Sequence, residues 1–178
     1  MKKHFLLFGG GLMLIFSVLS GACDKEQETV YSVPDELQSF VDTLVSEAAQ
    51  RGVKLDLSNN LIIEYGLNTE GILCGSCVFV GKQLKIEINQ ENKCWSDRIT
   101  QEALMLHMLG HCALRRIDHD DALLPNGDAK SLMNGEVIDQ YACIFDLSGE
   151  NNCNNLYKRD YYLDELFNPD TPAPDWGK

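Results

Sequence analysis

The chain has 178 residues, 44% of them hydrophobic, with 15 Lys and Arg against 27 Asp and Glu and a formal net charge of −12 at pH 7. That is chain enough for one domain with its own core. The acidity argues against nucleic acid as a partner, because phosphate recognition depends on clustered cations.

In chain order, the first segment reads as a leader. Lys2 and Lys3 precede an apolar run from Phe5 to Leu19, and small residues lead to Cys23. The pattern resembles a lipoprotein signal, which implies cleavage after residue 22 and lipid on Cys23. The chain would then be held on the periplasmic or cell-surface side of a Gram-negative bacterium, with the outer membrane as the expected location. An ordinary N-terminal membrane anchor is the alternative. No later run approaches the ~20 apolar residues that a span needs. Residues 23–33 read as a polar tether, with "DKEQE" either a surface-export signal or a solvated spacer.

Residues 34–167 form the expected domain, and 168–178 a proline-containing tail. "PDELQSFVDTLVSEAAQRG" predicts an amphipathic helix, with Leu37, Phe40, Val41, Leu44 and Ala48 on one face and Gly52 as its stop. "VKLDL", "LIIEYG" and "CVFVGKQLKIEIN" predict three or four strands, the last a hairpin around Gly81-Lys82 with Leu84, Ile86 and Ile88 facing one way. "SDRITQEALMLHMLGHCALRR" predicts a second helix, with Ser96 as N-cap and Asp97 in the first turn. Arg115 and Arg116 are expected at its solvated end, near the C-terminal dipole. An acidic loop follows. "SLMNGEVIDQYACIF" is expected to turn and enter another helix, and "NNLYKRDYYLDELF" to form the last.

Of the seven cysteines, Cys23 goes to lipid on this reading. Cys74, Cys77, Cys94, Cys112, Cys143 and Cys153 remain, enough for up to three disulfides in an oxidising compartment. Cys74 and Cys77 have CxxC spacing, but a zinc knuckle needs a second such pair and a thioredoxin-type motif needs a βαβ context. Structural disulfides are expected, including one at Cys112 that pins the second helix.

His107, His111 and His119 fall close together, and the chain's fourth histidine is His4 in the leader. Residues i and i+4 share a helix face, so His107 and His111 can grip one ion with Zn–N near ~2.0–2.1 Å. A turn after the helix could bring His119 to a third position. A histidine pair without metal is the alternative. A calcium site built on Asp118, Asp120, Asp121 and Asp128 is a further one, without EF-hand spacing.

"HMLGHCAL", the acidic loop with His119, and "SLMN" at 131–134 together resemble a small family of zinc-dependent metallopeptidase lipoproteins, metzincin-like, with a HELGHC-type motif and a later methionine turn. The resemblance covers about residues 35–165 in element order and is motif-level from 102 to 134. It implies an α+β fold: a small mixed or antiparallel sheet, a backing helix, an active-site helix and C-terminal helices. It also implies Zn²⁺ on His107, His111 and His119, with Met133 beneath the metal and not ligating it. Met133 alone would be read as a core residue.

Three departures qualify the resemblance. Met108 stands where the family's glutamate moves the proton, and a thioether cannot do that. Loss of such a group typically costs about 10²–10⁴ in rate. Glu102 lies on another helix face and does not replace it. The long metzincin spacing would put glycine at 114 and histidine at 117, where this chain has Leu114 and Ile117. His119 is therefore the expected third ligand, with Asp118, one residue closer, as the alternative. Asn134 and Gly135 stand where some families carry a tyrosine, so no oxyanion-stabilising tyrosine is assigned. The expected function is a lipid-anchored zinc-binding protein of metallopeptidase fold with lost or weakened peptidase activity, its partner a peptide or protein. An active peptidase with another proton shuttle and a non-enzymatic surface binding module are the alternatives.

Overall fold

The apolar stripe of the first helix packs against the central helix of the domain. In the computed structural model the described residues are 28–66, 74–90, 95–137, 140–142, 144–145, 151–152 and 154–178. Cys23, Cys94, Cys143 and Cys153 lie outside them. Helix α1 spans Asp35–Gln50 and buries the five expected residues, Leu37, Phe40, Val41, Leu44 and Ala48. It ends in a Schellman motif. Gly52 takes φ +72°, its N–H reaches Ala49 O at 3.1 Å, and Val53 N–H reaches Ala48 O at 2.8 Å.

A three-stranded mixed sheet packs against the helices. Strands β1 (Leu61–Tyr65), β2 (Gly75–Val80) and β3 (Gln83–Ile88) lie in the order β1-β3-β2. The β2-β3 hairpin turns at Gly81-Lys82, with Gly81 at φ +60° in the left-handed first position of the turn. Leu84, Ile86 and Ile88 are buried on one face. β1 runs parallel to β3. The expected strand at 53–57 does not form. Ser32 takes the free edge of β1 instead, donating to Leu61 O and accepting from Ile63 N, both at 2.9 Å. Leu57 from that segment is buried in the core.

Helix α2, Arg98–Cys112, packs on α1, β2 and β3. Its N-cap is Asp97 and not Ser96. The Asp97 carboxylate accepts from the N–H groups of Ile99 (2.9 Å) and Thr100 (3.2 Å) and from the Thr100 hydroxyl, more donors than a serine hydroxyl at position 96 could satisfy. Ala103 to Gly110 are buried without a break, which makes α2 the central helix.

The helix expected within 131–145 is not found among the described residues, which form turns and bends before a two-residue strand β4 (Ile144–Phe145) pairs with β5 (Asn151–Asn152). Side chains compete for the backbone here. Asn134 Oδ1 accepts from Glu136 N and Val137 N, and the Gln140 amide donates to Ser131 O and Val137 O. A 3₁₀ turn, Asn154–Lys158, then runs into α3, Arg159–Phe167. The tail is docked. Trp176 packs edge-on against Tyr157 and Tyr161, at centroid distances of 6.0 and 5.4 Å. No described helix is long and apolar enough to cross a membrane. The fold is α+β, with a small mixed sheet and three α-helices among the described residues.

A disulfide joins Cys77 of β2 to Cys112 at the end of α2, as expected for a bond that pins this helix. Cys74 is also disulfide-bonded. The Cys77–Cys112 link closes a loop with a sequence separation of 35, which in the chain-entropy model stabilises by about 3–4 kcal/mol. The double variant Cys77→Ala/Cys112→Ala should lose stability of that order in urea unfolding. An unchanged urea midpoint would show that the link contributes nothing.

Candidate metal centre

Helix α2 carries His107 and His111 one turn apart, and the residues that fix their rings come from elsewhere. His107 is 5% exposed, and its Nδ1 lies 2.8 Å from Leu132 O. His111 Nδ1 lies 2.6 Å from Arg116 O. A carbonyl can only accept, so each Nδ1 carries the proton and donates it. Each Nε2 then presents a lone pair when the ring is neutral. Burial pushes the His107 imidazole down to about 4, with nearby His111 and His119 adding to the shift against the opposing carbonyl bond. Burial lowers His111 in the same direction. Both rings are therefore neutral at pH 7.

The three Nε2 atoms converge. His111 Nε2 lies 3.0 Å from His107 Nε2 and 3.1 Å from His119 Nε2. Two lone-pair nitrogens have no proton to share, so the His107–His111 approach is repulsive unless a cation stands between them. Nitrogens ligating one tetrahedral ion at ~2.0–2.1 Å lie roughly 3.3 Å apart, close to the spacing seen. The three histidines form a group that can hold a metal ion, and no second such group occurs among the described residues. Asp118 is exposed and outside the group.

His119 reaches the site because the chain reverses after α2. Arg115 takes φ 60° and Arg116 N–H returns to Gly110 O at 3.1 Å. A left-handed arginine is uncommon, and its guanidinium lies 4.0 Å from the centroid of the Phe79 ring. Asp120 N–H then bonds Met133 O at 3.0 Å. Gly135 completes the fit. A Cβ there would lie 2.7 Å from His119 Nδ1, so any larger residue would push that ring out of the group.

The turn at 131–134 braces α2 from below. Met133 is fully buried, and a Cβ on Gly110 would come within 2.6 Å of its sulfur. Glycine in a helix costs about 1 kcal/mol relative to alanine, and here it lets Met133 pack directly under the turn that carries both histidines.

Arg116 does not form a solvated end with Arg115. Its guanidinium pairs with Glu165 of α3 at 2.7 Å, and that carboxylate is fully buried. A calcium site in the acidic loop is disfavoured by the partners its carboxylates already have. Asp120 pairs with Lys130 at 3.2 Å and Asp128 with Lys158 at 2.8 Å. Glu102 is bound to Arg159 (2.6 Å) and the Tyr141 hydroxyl (3.2 Å).

The histidines open into a cleft of about 340 Å³ between α2 and β2, with Gly75, Ser76, Phe79 and Met108 on its walls. Met108 is 4% exposed. No carboxylate lines the cleft among the described residues. Gly135, Arg116 and Glu165 were not expected at this site from the sequence. The only cue was the glycine just past the methionine turn, whose need for an empty Cβ depends on where His119 folds back. No family model, no curated protein and no solved structure matches the chain, so what the site can do must be argued from its own atoms.

Proposed function

We propose that the chain is a lipid-anchored zinc-binding protein on a metzincin-like metallopeptidase scaffold, with peptide hydrolysis lost or weakened and peptide binding retained. The observation that carries the metal reading is the approach of His107 and His111 Nε2 to 3.0 Å while both Nδ1 atoms face carbonyl oxygens. Three imidazoles that leave one tetrahedral position open are a donor set characteristic of catalytic zinc. Zinc held there supplies Lewis acidity towards a carbonyl oxygen. The scaffold reading is supported by the element order: a backing helix, a mixed sheet, a histidine helix, a returning histidine and a buried methionine under the helix.

Hydrolysis also requires a group that takes a proton from the nucleophile and returns it to the leaving amine. Met108 lines the cleft where that group is needed, and Glu102 and Glu165 are held in ion pairs elsewhere. Binding has its own support. Among the described residues β2 is an edge strand, and its Gly75, Ser76, Cys77 and Phe79 line the cleft. An edge of this kind accepts an extended peptide through main-chain hydrogen bonds.

Purified protein should carry about one zinc per chain by elemental analysis, and His107→Ala should abolish it. A metal-free preparation that takes up no zinc at neutral pH sinks the proposal. Wild-type protein should cut a peptide library weakly or not at all, and Met108→Glu should raise cleavage by about 10²-fold or more over the wild type. Strong wild-type cleavage that disappears in His107→Ala would instead establish an active peptidase. Lipid on Cys23 should appear as incorporation of labelled fatty acid that Cys23→Ser removes. Labelling that persists in that variant refutes the anchor.

A further inference from the structure

Both ring-orienting carbonyls of the metal centre lead to one buried group. Glu165 Oε1 accepts from the Ser131 hydroxyl at 2.8 Å and from Arg116 Nη2 at 2.7 Å, and Oε2 accepts from Leu132 N–H at 3.1 Å. Leu132 and Arg116 are the two residues whose carbonyls receive the Nδ1 protons of His107 and His111. The Leu132 residue is thus held at its N–H by Glu165 and at its C=O by His107. Arg116 is held at its guanidinium by Glu165 and at its C=O by His111. Arg116 Nη1 also donates to the backbone carbonyl of Glu165 at 3.0 Å, which fixes the pair to α3. Ser131 Oγ accepts from Met133 N–H at 2.9 Å, which ties the methionine turn to the same carboxylate.

We propose that Glu165 is the positioning residue of the metal centre, acting on both helix histidines through the Leu132 and Arg116 carbonyls. The inference rests on the zinc reading above and adds where its pre-organisation comes from. A fully buried carboxylate is expensive unless paired and hydrogen-bonded, and replacing such a pair by apolar residues is often neutral or stabilising. Fold stability alone therefore gives little reason to keep it. What the pair does here, and apolar packing would not, is fix the direction of two peptide carbonyls. Ligand orienters of this kind typically change metal affinity by about 10–100-fold when removed.

The test compares zinc dissociation constants, by chelator competition, for full-length wild type, Glu165→Gln and the double variant Arg116→Met/Glu165→Met. Folding of each is checked by circular dichroism. Glu165→Gln keeps the shape, but its amide replaces one of the two acceptor oxygens with a donor. The double variant removes the pair without leaving a buried charge, and so remains folded if the single variant does not. Each folded variant should bind zinc about 10–100-fold more weakly, and the visible bands of the Co²⁺-substituted protein should shift. A purely structural role would move the melting temperature and leave both the affinity and the Co²⁺ bands unchanged, and that result overturns the inference. Wild-type protein that binds no zinc refutes the reading beneath it. Wild-type binding matched by the variants refutes only the role of Glu165.

Discussion

Three imidazoles gathered so that His111 Nε2 lies 3.0 and 3.1 Å from the Nε2 atoms of His107 and His119, with the Nδ1 protons of His107 and His111 turned away towards carbonyl oxygens, set the terms for the rest of this molecule. Like-polarity atoms do not gather without compensation. Keeping His107 and His111 together takes a rigid helix and two fixed acceptors, and a cation between the rings would relieve their repulsion. The buried length of α2, the disulfide at Cys112, Met133 under Gly110 and the reversal through Arg115 each remove a motion that would let the rings part. Without a cation the same arrangement would store repulsion in the middle of the domain. Burial already drives His107 towards its neutral form, which is the form that ligates a metal, so the apolar surroundings and the metal chemistry favour the same protonation state.

The disulfide bears on the cleft as well as on stability. Cys77 belongs to the strand that forms one wall, and Cys112 follows the second histidine on the helix that forms the other. The bond therefore fixes the width of the cleft between the histidine helix and β2. A ligand lying along β2 would meet the histidines at a set distance, and less binding energy would go to ordering the wall. This matters here because β2, which among the described residues pairs with β3 alone, supplies Gly75, Ser76, Cys77 and Phe79 to the cleft.

What was legible in the sequence was periodic or local. The stripe from Leu37 to Ala48 marked α1 because burial repeats with the helical turn, and Gly81-Lys82 marked the hairpin because a two-residue loop needs a left-handed first position. The histidine triad was legible because i,i+4 spacing on a helix fixes two rings on one face. Val53–Leu57 looked like a strand by alternation, but strand formation needs a vacant neighbour, and Ser32 had taken the edge of β1. Residues 131–145 were expected to turn and then enter a helix, yet Asn134 and Gln140 spend the local backbone groups in turns. Glu165, 46 residues after His119 and on another helix, carried no motif. A role that passes through two carbonyls leaves no pattern of spacing, because the contacts are to backbone and the partners are distant in the chain.

Met108 can be understood by its surroundings. It is nearly buried, and its sulfur lies 3.3 Å from the Cβ position of Gly75, against a wall that also includes Leu104. A glutamate at that position would place a carboxylate among apolar neighbours, where losing hydration costs several kcal/mol unless a metal or a bound partner compensates. A peptidase accepts that cost because the strained carboxylate performs the proton transfer. A protein that only binds gains by removing it, since methionine fills the same space, adapts to an irregular wall and adds apolar contact for a ligand. The site thus separates two requirements that a peptidase must meet together. The histidine group and its supports can hold a metal ion, and the residue beside them gives the cleft an apolar, adaptable wall that cannot transfer a proton.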